Sequence, residues 1–198
     1  MLNNKKIRST TVYNTILSRR SIRCFKQAKI PVDILKKCVN AARLAPSAAN
    51  LQSLEFIIVN NEKISLEIFK TLGFGGYLPD WNPSETEKPN SYIVILCNDP
   101  KNKWYIRDAS FAAENIIITA ESFDIGSCVI CNIKKEKVRN ILKIPKELII
   151  DSIVAMGYKK ERPKIVPYKK SVKYYHSENK VLHVPKKSLD KITHFNKY

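Results

Sequence analysis

Two hydrophobic rhythms alternate along the chain. Ile34, Leu35, Cys38, Val39, Ala42 and Ala45 recur at helical spacing and predict a helix that Pro46 ends, since proline disfavours α geometry in the residue before it. Val12, Ile16 and Leu17 predict an earlier helix running toward Ser18. Ala109, Ala112, Ala113, Ile116, Ile117, Ala120 and Phe123 keep one apolar face over about four turns, which marks the main core helix, and Asp108 is placed to cap it. Gly126 then reads as the left-handed residue that closes this helix. Apolar runs at 55–59, 92–97, 127–131 and 150–156 read as short strands; the second, YIVILC, is apolar throughout and is expected at the centre of a sheet. Further helices are expected over 64–72 and 134–142. Strands mixed with helices, without regular βαβ alternation, predict an α+β sandwich rather than a doubly wound sheet.

Two regions lack a period. Residues 73–90 hold three of the five glycines and three of the ten prolines, together with Trp81, and read as a long loop over one face, of a kind that often carries function. Residues 159–198 contain twelve Lys and Arg against three Asp and Glu, so about half of the formal charge of +17 sits in a basic C-terminal arm. With prolines at 163, 167 and 185, the arm is expected to be extended and to have little core of its own. Its lysines outnumber its arginine eleven to one and it carries no nucleic-acid motif, which favours a solvated surface over base or phosphate readout. Such a surface would still draw in small anions.

At 198 residues the chain is expected to form a single domain, 1–198. No apolar run approaches the roughly twenty residues of a membrane span. MLNNKKIRST has charge but no apolar stretch behind it, so no secretory signal is visible and a soluble, cytoplasmic protein is expected. Five cysteines scattered through apolar segments predict reduced, buried thiols. Cys128 and Cys131 spell C-x-x-C, but no second ligand pair is nearby and positions i and i+3 fall on opposite faces of a strand, so no metal is expected.

Two short segments carry the chemistry. Arg19-Arg20-Ser21-Ile22-Arg23 packs three guanidinium groups and a hydroxyl into five residues, a clamp suited to phosphate or another oxyanion. Ala45-Pro46-Ser47-Ala48-Ala49-Asn50-Leu51-Gln52 supplies small residues and two amides where a flat ligand can lie against backbone. Together they point to an anionic, planar cofactor. Gly73-Phe74-Gly75-Gly76 has the wrong spacing for a dinucleotide-binding turn, and no G-x-G-x-x-G occurs elsewhere.

The ordered set R-R-S-I-R-x-F, a helix, A-P-S-A-x-N-x-Q, a strand, a core helix leading to D-I-G-S-C, and a strand ending in Met156-Gly157-Tyr158 resembles the nitroreductase family of FMN-dependent oxidoreductases, over about residues 12–176. The resemblance implies an α+β, three-layer sandwich: a central mixed, mostly antiparallel sheet flanked by helices, with an extended C-terminal arm. It implies a homodimer with FMN at the interface. Hydride would pass from NADH or NADPH through flavin N5 to a small-molecule acceptor, such as a nitroaromatic or quinone, by a ping-pong scheme in one site.

By the same resemblance Arg19, Arg20 and Ser21 are expected on the phosphate, ribityl chain and pyrimidine edge. Arg23 is expected near N1 and the C2 carbonyl, where a fixed positive charge favours reduction. Pro46, Ser47 and Ala48 would pack beside the flavin of the other subunit, and Asn50 would bond its ring or ribityl oxygens. Gln52 matches the family's glutamine, whereas Ser53-Leu54 replaces the common Pro-Trp, a departure that bears on the substrate pocket. Val129, Ile130 and Cys131 stand where family members turn backbone amides toward N5, and Lys169 and Lys170 where a basic residue meets the phosphate. No catalytic side chain is implied, because the flavin carries the chemistry. Two other classes compete: a flavin-storing or flavin-sensing protein of the same fold, and a basic nucleic-acid-binding protein.

Overall fold

A computed structural model describes residues 11–78 and 81–198. The stretch read for a secretory signal lies outside the described residues. The strand predicted as central is central: β3 (Ser91–Cys97) is buried at every position. It pairs antiparallel with β2 (Leu54–Val59) on one side and β5 (Ile149–Lys159) on the other. Met156 of β5 faces both Ser91 and Ser127, so β4 (Ile125–Ile130) runs along the far side of β5, also antiparallel. A two-residue strand, β1 (Phe25–Lys26), extends the β3 side by pairing with Lys159 and Tyr158.

Helices cover both faces. On one, α2 (Val32–Ala42) and α4 (Tyr105–Ser122) bury Leu35, Cys38, Ala109, Ala112, Ile116 and Ala120 against Ile93, Ile95, Val154 and Met156. On the other, α3 (Glu62–Phe69) and α5 (Lys135–Leu142) bury Ile68 and Val138 against Tyr92, Val94, Leu96, Ile153 and Ala155. Alternate residues of β3 thus feed two cores, as strand geometry requires of a sheet covered twice, and the three-layer α+β sandwich follows. The first helix, α1 (Thr11–Ser18), differs: Val12, Ile16 and Leu17 keep their helical stripe but stand exposed. Among the described residues no helix is long and apolar enough to cross a membrane.

Four local expectations need correcting. Helix α2 stops at Ala42, before Pro46, because Leu44 and Ala45 turn back on the carbonyls of Ala41 and Ala42. Asp108 does not cap α4; Trp104 holds that position, and Asp108 lies buried in the first turn. The left-handed residue closing α4 is Asp124 (φ 57°), while Gly126 lies inside β4, where an added Cβ would sit 2.9 Å from Ile22 and Lys159 atoms. The arm is not merely extended: β6 (Lys164–Pro167) and β7 (Tyr175–His176) flank β8 (Leu182–Lys186) in a small sheet that buries Leu182.

Candidate functional site

The arginine segment owes its position to the sheet. Ser21 bridges in parallel to Ser127 of β4, the Ile22 N–H donates to the Ser127 carbonyl at 2.9 Å, and the Lys160 N–H donates to the Cys24 carbonyl at 3.0 Å. The carboxylate of Glu161, just past β5, accepts the Arg23 and Cys24 N–H groups. These bonds hold the segment extended, so Arg20 and Ile22 share one side. Both line a cavity of about 320 Å³ with Glu121, Asp124 and Lys159. Arg20 Nη1 donates to the carbonyls of Leu17 and Arg19, and its buried Nε has no partner. Burial and the neighbouring Arg19 lower the affinity of the Arg20 guanidinium for its proton, against the pull of Glu121. Lys159 bonds Glu121 at 2.9 Å and Asp124 at 3.0 Å, and these pairs outweigh its burial to raise its pKa. Arg23 faces different surroundings: its guanidinium lies 5.0 Å from the centre of the Tyr174 ring.

The second segment hangs from side chains. Asp108 Oδ1 accepts the Ala48 N–H at 3.0 Å, Oδ2 accepts from Asn102 Nδ2 at 3.1 Å, and the same amide donates to Ser53 Oγ at 2.8 Å. Asp108, Asn102 and Ser53 are all buried, so Ser53 belongs to this scaffold. Leu54 instead lines a small cavity with Pro46, Ser47 and Gln52. Between Ser47 and Gln52 the backbone is strained: Ala49, Asn50 and Gln52 have φ of 48°, 55° and 51°. Left-handed non-glycine residues cost about 1–3 kcal/mol each and cluster at functional sites. Asn50 and Gln52 are exposed, and Ser47 Oγ accepts the Gln52 N–H at 3.3 Å.

A protein-family model described as the nitroreductase family matches residues 16–73 and 82–158. The chain belongs to the nitroreductase family. It is 32% identical over 155 residues to a protein of Archaeoglobus fulgidus called a putative NADH dehydrogenase/NAD(P)H nitroreductase, covering 74% of this chain and 84% of that one. An FMN-dependent nitroreductase structure from Clostridium difficile superposes with a TM-score of 0.68 at 27% identity, over 93% of this chain and 98% of that one. A Bacteroides fragilis nitroreductase solved with bound FMN gives 0.63 at 28% identity, over 83% and 95%.

Against the nitroreductase expectations, the structure brings Arg19, Arg20, Ser21 and Arg23 to the edge of β4 but sends Arg20 and Arg23 into different environments. Pro46, Ser47 and Gln52 line a separate cavity within the same chain. On β4 Val129 is exposed and Ile130 is buried in the core, with Cys131 exposed just beyond the strand. Cys38, Cys97 and Cys128 are buried as expected, whereas Cys24 is half-buried and Cys131 exposed, contrary to the uniform burial inferred from sequence. Burial, reinforced by Glu161, pushes the Cys24 thiol up to about 12, so it stays protonated and unreactive near neutrality. Lys169 and Lys170 are exposed in the connection after β6 and line neither cavity.

Sequence reasoning missed Asp108 and Asn102 as anchors of the second segment. Asp108 precedes Ala112 by four and Ala109 by one, on the buried stripe of α4. An acid on that stripe is a signal that a buried partner must exist.

Proposed function

We propose that this nitroreductase-family enzyme binds FMN and oxidises NADH or NADPH at the expense of a small acceptor such as a nitroaromatic or quinone, in a site completed by a second copy of the chain. The observation that carries this is the cationic, main-chain-anchored segment Arg19 to Arg23 at the edge of β4, together with a separate second segment, anchored at the other end of α4, whose strained backbone leaves Asn50 and Gln52 exposed. When bound, FMN supplies a ring that accepts hydride from the nicotinamide and passes it on, so one site serves both half-reactions.

The chain's own residues hold and tune. Arg19 and Ser21 offer charge-assisted and hydroxyl hydrogen bonds to the phosphate and ribityl oxygens, with Lys169 and Lys170 as further cations. Arg23 fixes positive charge where electron density gathers on reduction. Arg20, sharing its cavity with Glu121, acts mainly by fixing the segment from behind. Pro46, Ser47, Ala48, Asn50 and Gln52 close the site of the other copy, and the main chain at Val129, Ile130 and Cys131 borders the ring. Two separate cavities in one chain, and exposed apolar side chains in and just before the second segment, support the homodimer: Leu44 is 64% exposed and Leu51 50%.

The test is the visible spectrum of the purified protein, identification of the released flavin, and steady-state NADH and NADPH oxidation with a quinone or nitroaromatic. Parallel lines in double-reciprocal plots are expected. Flavin that stays oxidised under excess NADH and NADPH overturns the enzyme reading in favour of flavin storage. A colourless protein that binds DNA or RNA with steep salt dependence overturns both.

A further inference from the structure

The loop over 73–90 and the C-terminal arm meet above Arg23. Tyr174, in the arm, packs its ring edge-on to Tyr77 of the loop with centroids 5.1 Å apart, and its hydroxyl accepts the Tyr77 N–H at 3.3 Å. Two residues on, His176 packs against Trp81 of the same loop at 5.9 Å. Tyr175, between them, turns the other way and stacks on His183 of β8 at 5.3 Å and 11°. The arm is thus read as a strand: alternate side chains grip the loop, and the one between grips the arm's own sheet. Tyr174 is the member of this set that reaches the arginine segment, with the Arg23 guanidinium 5.0 Å from its ring centre.

We propose that Tyr174, braced by Tyr77, is a positioning residue for Arg23: it holds the guanidinium in place for the flavin's pyrimidine end. This rests on the reading of Arg23 given above. Arg23 is tied through its backbone to Glu161, and among the described residues its half-buried side chain has no hydrogen bond or ion pair to hold it. A ring face 5.0 Å from the guanidinium carbon restricts that side chain, and a guanidinium stacked on a ring keeps its N–H edges able to donate to a ligand. The brace matters because an unsupported tyrosine in the arm would itself be mobile. The loop bond to its hydroxyl and the edge-on contact with Tyr77 fix it at two points.

The experiment is a double-mutant cycle on the holoprotein, with FMN dissociation and the midpoint potential of the bound flavin as readouts. Tyr174→Leu is expected to weaken FMN binding about two- to fivefold and to move the potential to more negative values. Tyr174→Phe loses the hydroxyl bond but keeps the ring and its contact with Tyr77, and should stay within about twofold of wild type. In an Arg23→Ala background Tyr174→Leu should have no further effect on either readout, because its action runs through Arg23. Should Tyr174→Leu fail to fold, Tyr77→Leu tests the same coupling through the brace, with a smaller shift that again vanishes without Arg23. Equal effects of Tyr174→Leu in both backgrounds overturn the proposal and leave Tyr174 a structural residue of the arm. Unchanged binding and potential in Arg23→Ala alone overturn the Arg23 reading and this proposal with it.

Discussion

The two motif segments are held by opposite means. Arg19 to Arg23 is stitched to β4 and the end of β5 mostly by main-chain hydrogen bonds, which depend little on which side chains are present, with the carboxylate of Glu161 added only at Arg23 and Cys24. Ser47 to Gln52 bends through three left-handed residues and is fastened to the core by one buried carboxylate, Asp108. The first arrangement lets side chains vary for binding while the backbone stays put. The second stores strain in a loop whose residues Asn50 and Gln52 stand exposed, as suits the proposed contact with another copy of the chain.

The contrast between the two anchors rests above all on Asp108. Asp108→Ala strands the half-buried Ala48 N–H and leaves the buried Asn102 amide with Ser53 as its one remaining acceptor, and should cost about 3 kcal/mol in urea unfolding. A loss below about 1 kcal/mol would mean that the turns alone hold the second segment. Arg23→Ala should weaken FMN binding by roughly ten- to a hundredfold, a loss of about 1.5–3 kcal/mol, with little change in unfolding because its segment is secured through the main chain. Titration of apoprotein checks this, and an unchanged affinity removes Arg23 from the site.

The main-chain stitching itself is probed at Gly126. There Ala would press a methyl 2.9 Å from Ile22 and Lys159 atoms, and the expected destabilisation is about 1–3 kcal/mol. The smallest effect has the opposite sign. Ala49→Gly relieves a left-handed penalty of about 1–2 kcal/mol and loses about 0.4–1 kcal/mol to the freer unfolded chain, so thermal melting should show a gain of about 0.5–1 kcal/mol. A net loss would mean that Ala49 is not strained.

How much of this was legible in the sequence depended on which forces set each feature. The α2 and α4 stripes and the apolar run of β3 follow from burial periodicity, and structure and sequence agree on them except at Phe123, which lies just past α4 and is exposed. The role of Asp108 was misread because capping is a local rule, and the demand for a partner at Ala48, sixty residues away in sequence, overrode it. Gly126 was misread for the same reason: close packing of Ile22 and Lys159 against a strand, and not a turn, calls for its missing side chain. In the candidate site, the arginine cluster and the A-P-S-A-x-N-x-Q segment stand out by residue type alone. That Arg20 and Arg23 part ways, and that Tyr174 joins Arg23, depends on strand alternation and on how the arm folds back, which no local pattern encodes.

The position of β5 has a consequence for how the chain is made. It supplies the partner of β3 on one side and of β4 on the other, yet it is the last strand of the main sheet to be synthesised. From the completion of β3 at Cys97 to that of β5 at Lys159, a ribosome working at about 5–20 residues per second needs roughly 3–12 s. Throughout that interval YIVILC has one unpaired edge and no charge to protect it, the composition that favours strand-to-strand aggregation. Slower translation of any part of the chain after β3 should therefore lower the soluble yield of this protein.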